Sequence, residues 1–237
     1  LEARTFVDVA EFVYDDFTTA RTIAAAATTD IWNATNNGAA AANFVRTAGP
    51  NTFCRGDAGT DDNGDARLLS VNESATANRR PILLGRLGMN SAVASSKWEF
   101  GFIDAVAAGA VLVKDTPTST RTDYAVVIRD TDDDVNIGLV TDGTTDAVGL
   151  VAGSPAPTFA TQTWYNVMIA LNEVRDCVFY IDGVFQGIRR AGPDATTTLS
   201  AWAYIQNRDD VDNRTLDLDF VYGYQERVPF SGNAFTT

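Results

Sequence analysis

The stretch Cys177-Val-Phe-Tyr-Ile-Asp-Gly-Val-Phe-Gln-Gly187 decides the fold class of this chain. Asp182 and Gly183 separate two runs that are rich in β-branched and aromatic residues. Asp-Gly favours a type I′ turn, which requires positive φ at both central residues and whose twist matches the twist of the flanking strands. The stretch therefore predicts a β-hairpin with strands over residues 177–181 and 184–186.

The same period-two alternation of apolar and polar residues recurs along the chain, whereas helical periodicity is rare. Clusters of turn-forming residues (Asp, Gly, Pro, Ser and Asn) separate the alternating runs. Many short strands at this spacing are typical of an antiparallel β-sandwich. Besides the hairpin, strands are predicted over residues 98–103, 110–113, 124–128, 135–140, 147–151, 164–171, 202–205 and 216–222.

The N-terminal residues are predicted to form an arm or docking strand over residues 1–15, ahead of a single sandwich domain over residues 16–237. Alanine-rich residues 20–27 and 38–44 predict at most one or two helical turns, because Ala favours a helix but the neighbouring Thr, Asn and Gly do not. The arm would add a strand to the sheet edge of a neighbouring molecule. Its apolar residues are Phe6, Val7, Val9, Phe12, Val13 and Tyr14.

Composition and charge exclude several classes of protein. The chain has 237 residues, with 31 acidic against 18 basic side chains and a formal net charge of −13. Such a surface repels phosphate backbones, so a nucleic-acid partner is disfavoured. No apolar run reaches the roughly 18 residues that a membrane-spanning helix needs. The two cysteines, Cys54 and Cys177, are expected to be free thiols, with a disulfide as the alternative.

Three segments of the predicted sandwich carry a resemblance to a known superfamily. Residues 98–104, 164–171 and 179–184 resemble the concanavalin A-like lectin/glucanase jelly roll, laminin-G-like sandwiches included. In that superfamily a Trp opens a long strand and a Phe-Tyr-Ile-Asp-Gly hairpin returns it. The resemblance spans residues 80–225 and implies an all-β, antiparallel, two-layered fold. Residues 215–221, Thr-Leu-Asp-Leu-Asp-Phe-Val, further resemble the closing strand of accessory, or decoration, proteins of tailed bacteriophages.

The chain contains no histidine, which excludes Ser-His-Asp and Cys-His nucleophilic sites and most zinc sites. Glucanases of the superfamily that the chain resembles place two carboxylates at alternating positions of one strand. Gly101 stands where an acid should follow Glu99, and Tyr222 stands where one should follow Asp217 and Asp219. These strand acids are expected to face solvent, and no enzymatic activity is expected.

No bound cofactor is expected, and calcium, which the acidic loops could bind, is the alternative. Calcium prefers several hard oxygen ligands from a flexible loop. Neither acidic loop fits the EF-hand pattern, because Val135 stands at the glycine position and the bidentate Glu is missing. A solvated acidic turn is the alternative. The candidate ligands are Asp130, Asp132 and Asp134, with a second cluster at Asp57, Asp61, Asp62 and Asp65.

A glycan ligand would need an exposed aromatic side chain beside polar groups. Trp98, Trp164 and Trp202 lie in predicted strands, where packing in the core is favoured. Trp32 lies in a loop-like stretch with Asn, Thr and Gly. Trp32 is therefore the predicted glycan contact.

Two functions remain open from the sequence. The first is a non-enzymatic virion protein of a tailed phage, a capsid decoration protein that binds and stabilises the capsid surface. Its partners would be the major capsid protein or other virion proteins and further copies of itself, as a trimer if it follows threefold sites on the shell. The alternative is a lectin-like carbohydrate-binding module for host surface glycans, on a virion or in a secreted protein. Neither function involves a membrane or a nucleic acid.

Overall fold

Strands and the turns between them make up most of the computed structural model of this chain, which includes one short 3-10 helix at Ala77–Arg79. It describes residues 9–18, 23, 31–37, 43–47, 52–71, 74–91, 93–104, 109–112, 121–132, 134–141, 151–152, 159–190, 192–208 and 212–227. Within these ranges no helix is long and apolar enough to cross a membrane. The strands are β1 (Val9–Asp15), β2 (Trp32–Asn37), β3 (Asn43–Arg46), β4 (Cys54–Asp57), β5 (Asp65–Ser70), β6 (Ala75–Thr76), β7 (Ile82–Met89), β8 (Ser96–Ile103), β9 (Tyr124–Asp130), β10 (Asp134–Thr141), β11 (Val151–Ala152), β12 (Trp164–Leu171), β13 (Cys177–Ile181), β14 (Val184–Arg189), β15 (Thr198–Asn207) and β16 (Thr215–Glu226).

The strands form two antiparallel sheets. The first sheet has the order β14-β13-β12-β7-β16-β4-β3, and β1 pairs with β16 next to β4. The second sheet has the order β11-β10-β9-β8-β15-β5-β2, and β6 also pairs with β15. Neighbouring strands such as β7 and β16 are far apart in sequence, so the chain crosses repeatedly between the layers. The predicted all-β antiparallel sandwich is confirmed.

Alternating side chains of both sheets fill the space between the layers. In β12, Tyr165, Val167, Ile169 and Leu171 are buried, while the alternate residues face outward. Gly85 of β7 lies against the Phe100 ring of the second sheet, which comes within 2.3 Å of the position that a Cβ at residue 85 would take. The absent side chain thus leaves room for an aromatic ring at the centre of the core.

The predicted N-terminal arm lies, as far as it is described, on its own sheet. Strand β1 pairs with β16, and the side chains of Phe12 and Val13 are 6% and 0% exposed in the core. The expectation that these two residues are available to a neighbouring molecule is wrong, because their apolar surface is already buried. Tyr14 is 49% exposed. Phe6 and Val7 lie outside the described residues, and Val9 is described only by its backbone pairing with Glu226.

Asp15, at the end of β1, holds three strands together. Its carboxylate accepts a hydrogen bond from Trp32 Nε1 of β2 at 2.9 Å and one from Arg46 of β3. It also accepts the Phe17 backbone N–H at 2.7 Å. A buried carboxylate with several donors is well compensated. This cluster explains why the N-terminal strand belongs to the sandwich.

Two other local predictions need correction. Asn43 and Phe44, at the end of the second alanine-rich stretch, belong to strand β3, where Phe44 packs against Gly56 of the neighbouring strand β4. The remainder of both alanine-rich stretches is outside the described residues, apart from the buried Ile23. Val111 and Leu112, predicted as a strand, instead cover the outer side of the second sheet.

The hairpin has the predicted geometry. Strands β13 and β14 pair antiparallel, and both Asp182 and Gly183 have positive φ, at 49° and 75°. Both cysteines are free, as predicted, and both are buried. Burial raises the pKa of the Cys177 thiol.

Gly183→Ala should lower the free energy of unfolding by about 1–2 kcal/mol, because a side chain at positive φ is strained. A Cβ there would meet nothing within 4 Å, so the loss measures backbone strain alone. Gly109→Ala is the matched control, since its Cβ also meets nothing within 4 Å and its φ lies outside the positive range. Urea unfolding of both variants tests this, and equal stability of the two would contradict the turn geometry.

Candidate functional site

Trp32 is not the exposed aromatic side chain that the sequence suggested. Its side chain is 1% exposed, its ring packs 5.9 Å from Phe17, and its indole N–H is bonded to Asp15. The predicted role of Trp32 in glycan contact is therefore wrong, because the indole is buried against Phe17 and Asp15. Trp98 and Trp202 are buried in agreement with prediction.

Trp164 is the tryptophan that reaches the surface. It opens β12 on the outer side of the first sheet and is only partly buried, contrary to the expectation that it packs in the core. The pairing registers place Trp164 beside Gly88, Gly88 beside Asp217, and Asp217 beside Arg55. These four residues form one row across the sheet.

The absence of a side chain at Gly88 allows the Trp164 indole to lie against strand β7. A Cβ at this position would come within 3.4 and 3.5 Å of two atoms of the Trp164 ring and 2.9 Å from the Thr163 carbonyl oxygen. The ring therefore rests directly on the backbone of β7.

The Trp164 ring forms part of an open cleft at this end of the first sheet. The cleft has a volume of about 260 Å³. Its walls combine two aromatic rings with charged, amide and hydroxyl side chains. The lining residues are Phe53, Arg55, Gly88, Met89, Asn90, Gln162, Thr163, Trp164 and Asp217.

One wall of the cleft is a bidentate ion pair. Arg55 Nε and Nη2 lie 2.7 and 2.9 Å from the two carboxylate oxygens of Asp217. Burial raises the pKa of Asp217, and the hydrogen bonds and charge of Arg55 oppose that rise. Asp217 is 5% exposed, so the expectation that this strand acid faces solvent is wrong. The Arg55 guanidinium also lies 5.1 Å from the centre of the Phe53 ring.

The aromatic rings are fixed by their neighbours. Phe53 meets Trp164 edge to face, with ring centres 6.0 Å apart at 70°. The Arg86 guanidinium lies 5.3 Å from the Trp164 ring centre and 3.0 Å from the Asp219 carboxylate. Such stacking and pairing limit the rotation of the indole, so the aromatic surface is largely preformed.

Glu99 was also expected to face solvent, and it is fully buried on the outer side of the second sheet. Its carboxylate accepts the backbone N–H groups of Val111 and Leu112 at 2.8 and 3.2 Å and the indole N–H of Trp202 at 3.0 Å. Burial raises the pKa of Glu99, and Lys97 at 3.8 Å opposes that rise. Glu99 is thus held within the protein by three donors and a cation.

The predicted calcium loop begins beside the same cluster. Asp130 is buried and pairs with Lys97 Nζ at 3.3 Å and with Arg208, whose Nε lies 3.1 Å from its carboxylate. The Asp132 backbone N–H donates a hydrogen bond to the Asp130 carboxylate at 3.3 Å. The side chain of Asp134 is not among the side chains that the structure describes. Two cations therefore already neutralise the Asp130 carboxylate.

The second acidic cluster is spread over separate contacts. Asp65 pairs with Arg67 at 2.7 Å, and Asp57 accepts hydrogen bonds from the Gly59 backbone and from Asn213. Across the part of the chain that is described, no group of three or more Cys, Asp or Glu side chains is arranged to hold a metal ion.

No family model matches this chain, and no curated protein matches its sequence. Solved structures match its fold. The Emp47p carbohydrate recognition domain has a TM-score of 0.60 at 7% identity, covering 94% of this chain and 100% of that one. A second structure comes from a study of endo-acting O-glycanases with which human gut bacteria initiate mucin breakdown. It has a TM-score of 0.64 at 10% identity and covers 91% of this chain and 99% of that one.

A third similar structure comes from a virus. The carbohydrate esterase vb_24B_21 of the Shiga toxin-encoding bacteriophage phi24B has a TM-score of 0.54 at 9% identity, covering 92% of this chain and 99% of that one. At these identities the similarity concerns the fold. The chain has the antiparallel β-sandwich fold that its sequence predicted, and this fold is similar to that of the Emp47p carbohydrate recognition domain.

Lys97→Met should lower the free energy of unfolding by about 3 kcal/mol at neutral pH, because it leaves Glu99 and Asp130 buried without their shared cation. Arg86→Met is the control, since it breaks an ion pair whose partners are 41% and 35% exposed and should cost less than about 1 kcal/mol. Urea unfolding measures both changes. Equal losses would show that the buried cation is not needed.

The loss of stability in Lys97→Met should also depend on pH. Because the pKa of Glu99 is raised, the folded chain holds this proton more tightly than the unfolded chain does. The free energy of unfolding therefore falls as the pH rises from the unfolded carboxyl range through the raised pKa. Without Lys97 the pKa rises further, so Lys97→Met should cost more at about pH 7 than at about pH 4. A pH-independent loss would contradict this.

Proposed function

We propose that this chain is a non-enzymatic, lectin-like carbohydrate-binding module whose ligand occupies the Trp164 cleft. The observation that carries the proposal is the Trp164 indole, which rests on Gly88 and forms part of an open cleft. Sugar rings present C–H groups on one side, and these pack on aromatic rings, while their hydroxyls bind polar groups at the edge. The cleft offers both kinds of surface.

The polar groups around the indole suit a ligand with many hydroxyls. Arg55 offers donors and Asp217 offers acceptors within one ion pair, so a hydroxyl can both donate and accept there. Asn90, Gln162 and Thr163 add amide and hydroxyl groups to the lining. Because the charges are paired, the cleft favours a neutral sugar over a free anion or cation.

Similarity of fold supports this proposal. The Emp47p structure is a carbohydrate recognition domain, and the two other similar structures are described as an O-glycanase and a carbohydrate esterase. Each of these proteins, by its description, handles carbohydrate. Binding without catalysis is proposed here, because Glu99 is enclosed by backbone donors and Asp217 is neutralised by Arg55.

Trp164→Ala should weaken glycan binding at least tenfold, which corresponds to about 1.4 kcal/mol. A glycan array identifies the ligand, and titration calorimetry with that glycan compares the variants. Phe185→Ala is the control, since Phe185 is an aromatic residue 47% exposed on the same sheet, at the far strand β14. Binding should survive a chelator, because Asp130 is engaged by Lys97 and Arg208. A silent array, or unchanged affinity in Trp164→Ala, would refute the proposal.

A second candidate function is the virion role, as a decoration protein that binds the major capsid protein as a homo-oligomer on the capsid surface. Similarity to the phi24B phage esterase is the observation that favours it. A glycan-binding decoration protein would combine both functions, with the module exposed on the particle. Mass spectrometry of intact particles tests this role, since hundreds of copies per particle would support a shell location and absence from particles would exclude it.

A further inference from the structure

Four aromatic side chains continue from the cleft along the first sheet. We call Phe220, Tyr222, Tyr224 and Tyr14 the aromatic strip; Phe220, Tyr222 and Tyr224 lie at the outward positions of β16, and Tyr14 lies beside them on β1. Tyr222 and Tyr224 have ring centres 5.7 Å apart. Tyr14 meets Tyr222 edge to face, also at 5.7 Å. The three tyrosine rings are therefore in one continuous contact chain, and Phe220 precedes Tyr222 at an outward position of the same strand.

The pairing registers show that the strip and the cleft share one side of the sheet. Asp217 pairs with Gly88, and two residues further along β7 the next row joins Phe220, Arg86 and Asn166. The following rows join Tyr222, Leu84 and Met168, and then Tyr224, Ile82 and Ala170. Three intervals of two residues each extend the surface by about 20 Å beyond the Trp164 row.

The strip is open, whereas the corresponding side of the other sheet is not. Tyr14 is 49% exposed, and Phe220, Tyr222 and Tyr224 are partly exposed. On the second sheet, Trp202 and Tyr204 are only 1% exposed, because Val111 and Leu112 pack over that side. The tyrosine rings of the first sheet therefore remain available to a ligand.

Two ion pairs lie beside the strip, and the acidic side chains of Glu11 and Asp16 lie near Tyr14. Arg86 and Asp219 form an ion pair between the Trp164 ring and Tyr222, and Arg80 pairs with Glu226 at the far end. A long surface that is aromatic and bears hydroxyl groups fits a chain of sugar rings, and the nearby carboxylates of Glu11 and Asp16 disfavour an anionic chain. The surface lacks the uniform charge that an anionic polymer would require.

We infer that the ligand of the cleft is an extended, neutral polysaccharide chain that runs from Trp164 along the aromatic strip. This inference rests on the proposed function and adds the length and direction of the ligand to it. The strip is narrow, follows the strand direction and meets the cleft at one end. A protein partner would gain little from such a narrow continuation, whereas a linear glycan would contact each ring in turn.

Chain length provides the test. Cello-, laminari- and manno-oligosaccharides, each as disaccharide, tetrasaccharide and hexasaccharide, are titrated into the protein by calorimetry. For the sugar that binds, affinity should rise at least about tenfold, or about 1.4 kcal/mol, from disaccharide to hexasaccharide. Tyr222→Ala should remove most of this gain while leaving disaccharide affinity within about twofold, since the first rings stay in the cleft.

Tyr14→Ala is the second variant, because its side chain is half exposed and its loss should leave the fold intact. It should lower hexasaccharide affinity, as Tyr222→Ala should. Phe185→Ala should leave that affinity unchanged, because three strands separate β14 from β16. Thermal unfolding confirms that each variant is folded.

The outcomes separate this inference from the proposed function. If no hexasaccharide binds more tightly than its disaccharide, or if both tyrosine variants retain the gain, the extended chain is refuted. If glycans on the array still bind and Trp164→Ala weakens that binding, the cleft remains supported as the binding site. If the tyrosine variants instead abolish a dimer in analytical ultracentrifugation without changing glycan affinity, the strip is a protein interface and the inference is overturned.

Discussion

The buried charges at the middle of the second sheet constrain the rest of the structure. Glu99 and Lys97 lie on β8, a strand buried on both sides, and a carboxylate or ammonium group removed from water needs compensating partners. Val111 and Leu112 supply them, through two N–H groups to Glu99 and one carbonyl oxygen to Lys97. The second sheet is therefore covered on both sides, and the surface available for recognition shifts to the first sheet.

The first sheet combines a well-packed inner side with an aromatic outer side. Its inner residues meet the other layer closely, as Gly85 and Phe100 show. On its outer side, Gly88 allows Trp164 to lie on the backbone, and Arg55 with Asp217 closes one wall of the cleft. Because each of these groups stands on a paired strand, the proposed recognition surface belongs to the hydrogen-bonded part of the fold.

The parts of the fold that depend on consecutive residues could be predicted from the sequence. The Asp182-Gly183 turn and strand β12 were predicted to the residue, since turn chemistry and alternation are local properties. The strands of the first eighty residues were largely missed. Most of them are short, and β5 is buried throughout, so it shows no alternation.

The site could not be predicted in the same way, because exposure of a side chain depends on residues distant in sequence. Trp32 has loop-forming residues as sequence neighbours, yet its side chain is buried against Asp15 and Phe17. Trp164 lies in a strand, yet its side chain is partly exposed over Gly88. Glu99 likewise looked like a surface acid, and only the fold brings Val111 to it. No local sequence pattern records such pairings, since Gly88 and Trp164 become neighbours only through the pairing of β7 with β12.

The burial of Lys97 has a practical consequence for handling this protein. The chain has few lysines, and Lys97 is 1% exposed, with its ammonium group bonded to Leu112 and Asp130. Strands β7, β12 and β16, which carry the cleft and the strip, contain no lysine at all. Amine-reactive dyes or coupling resins would therefore find no lysine side chain to modify on these strands.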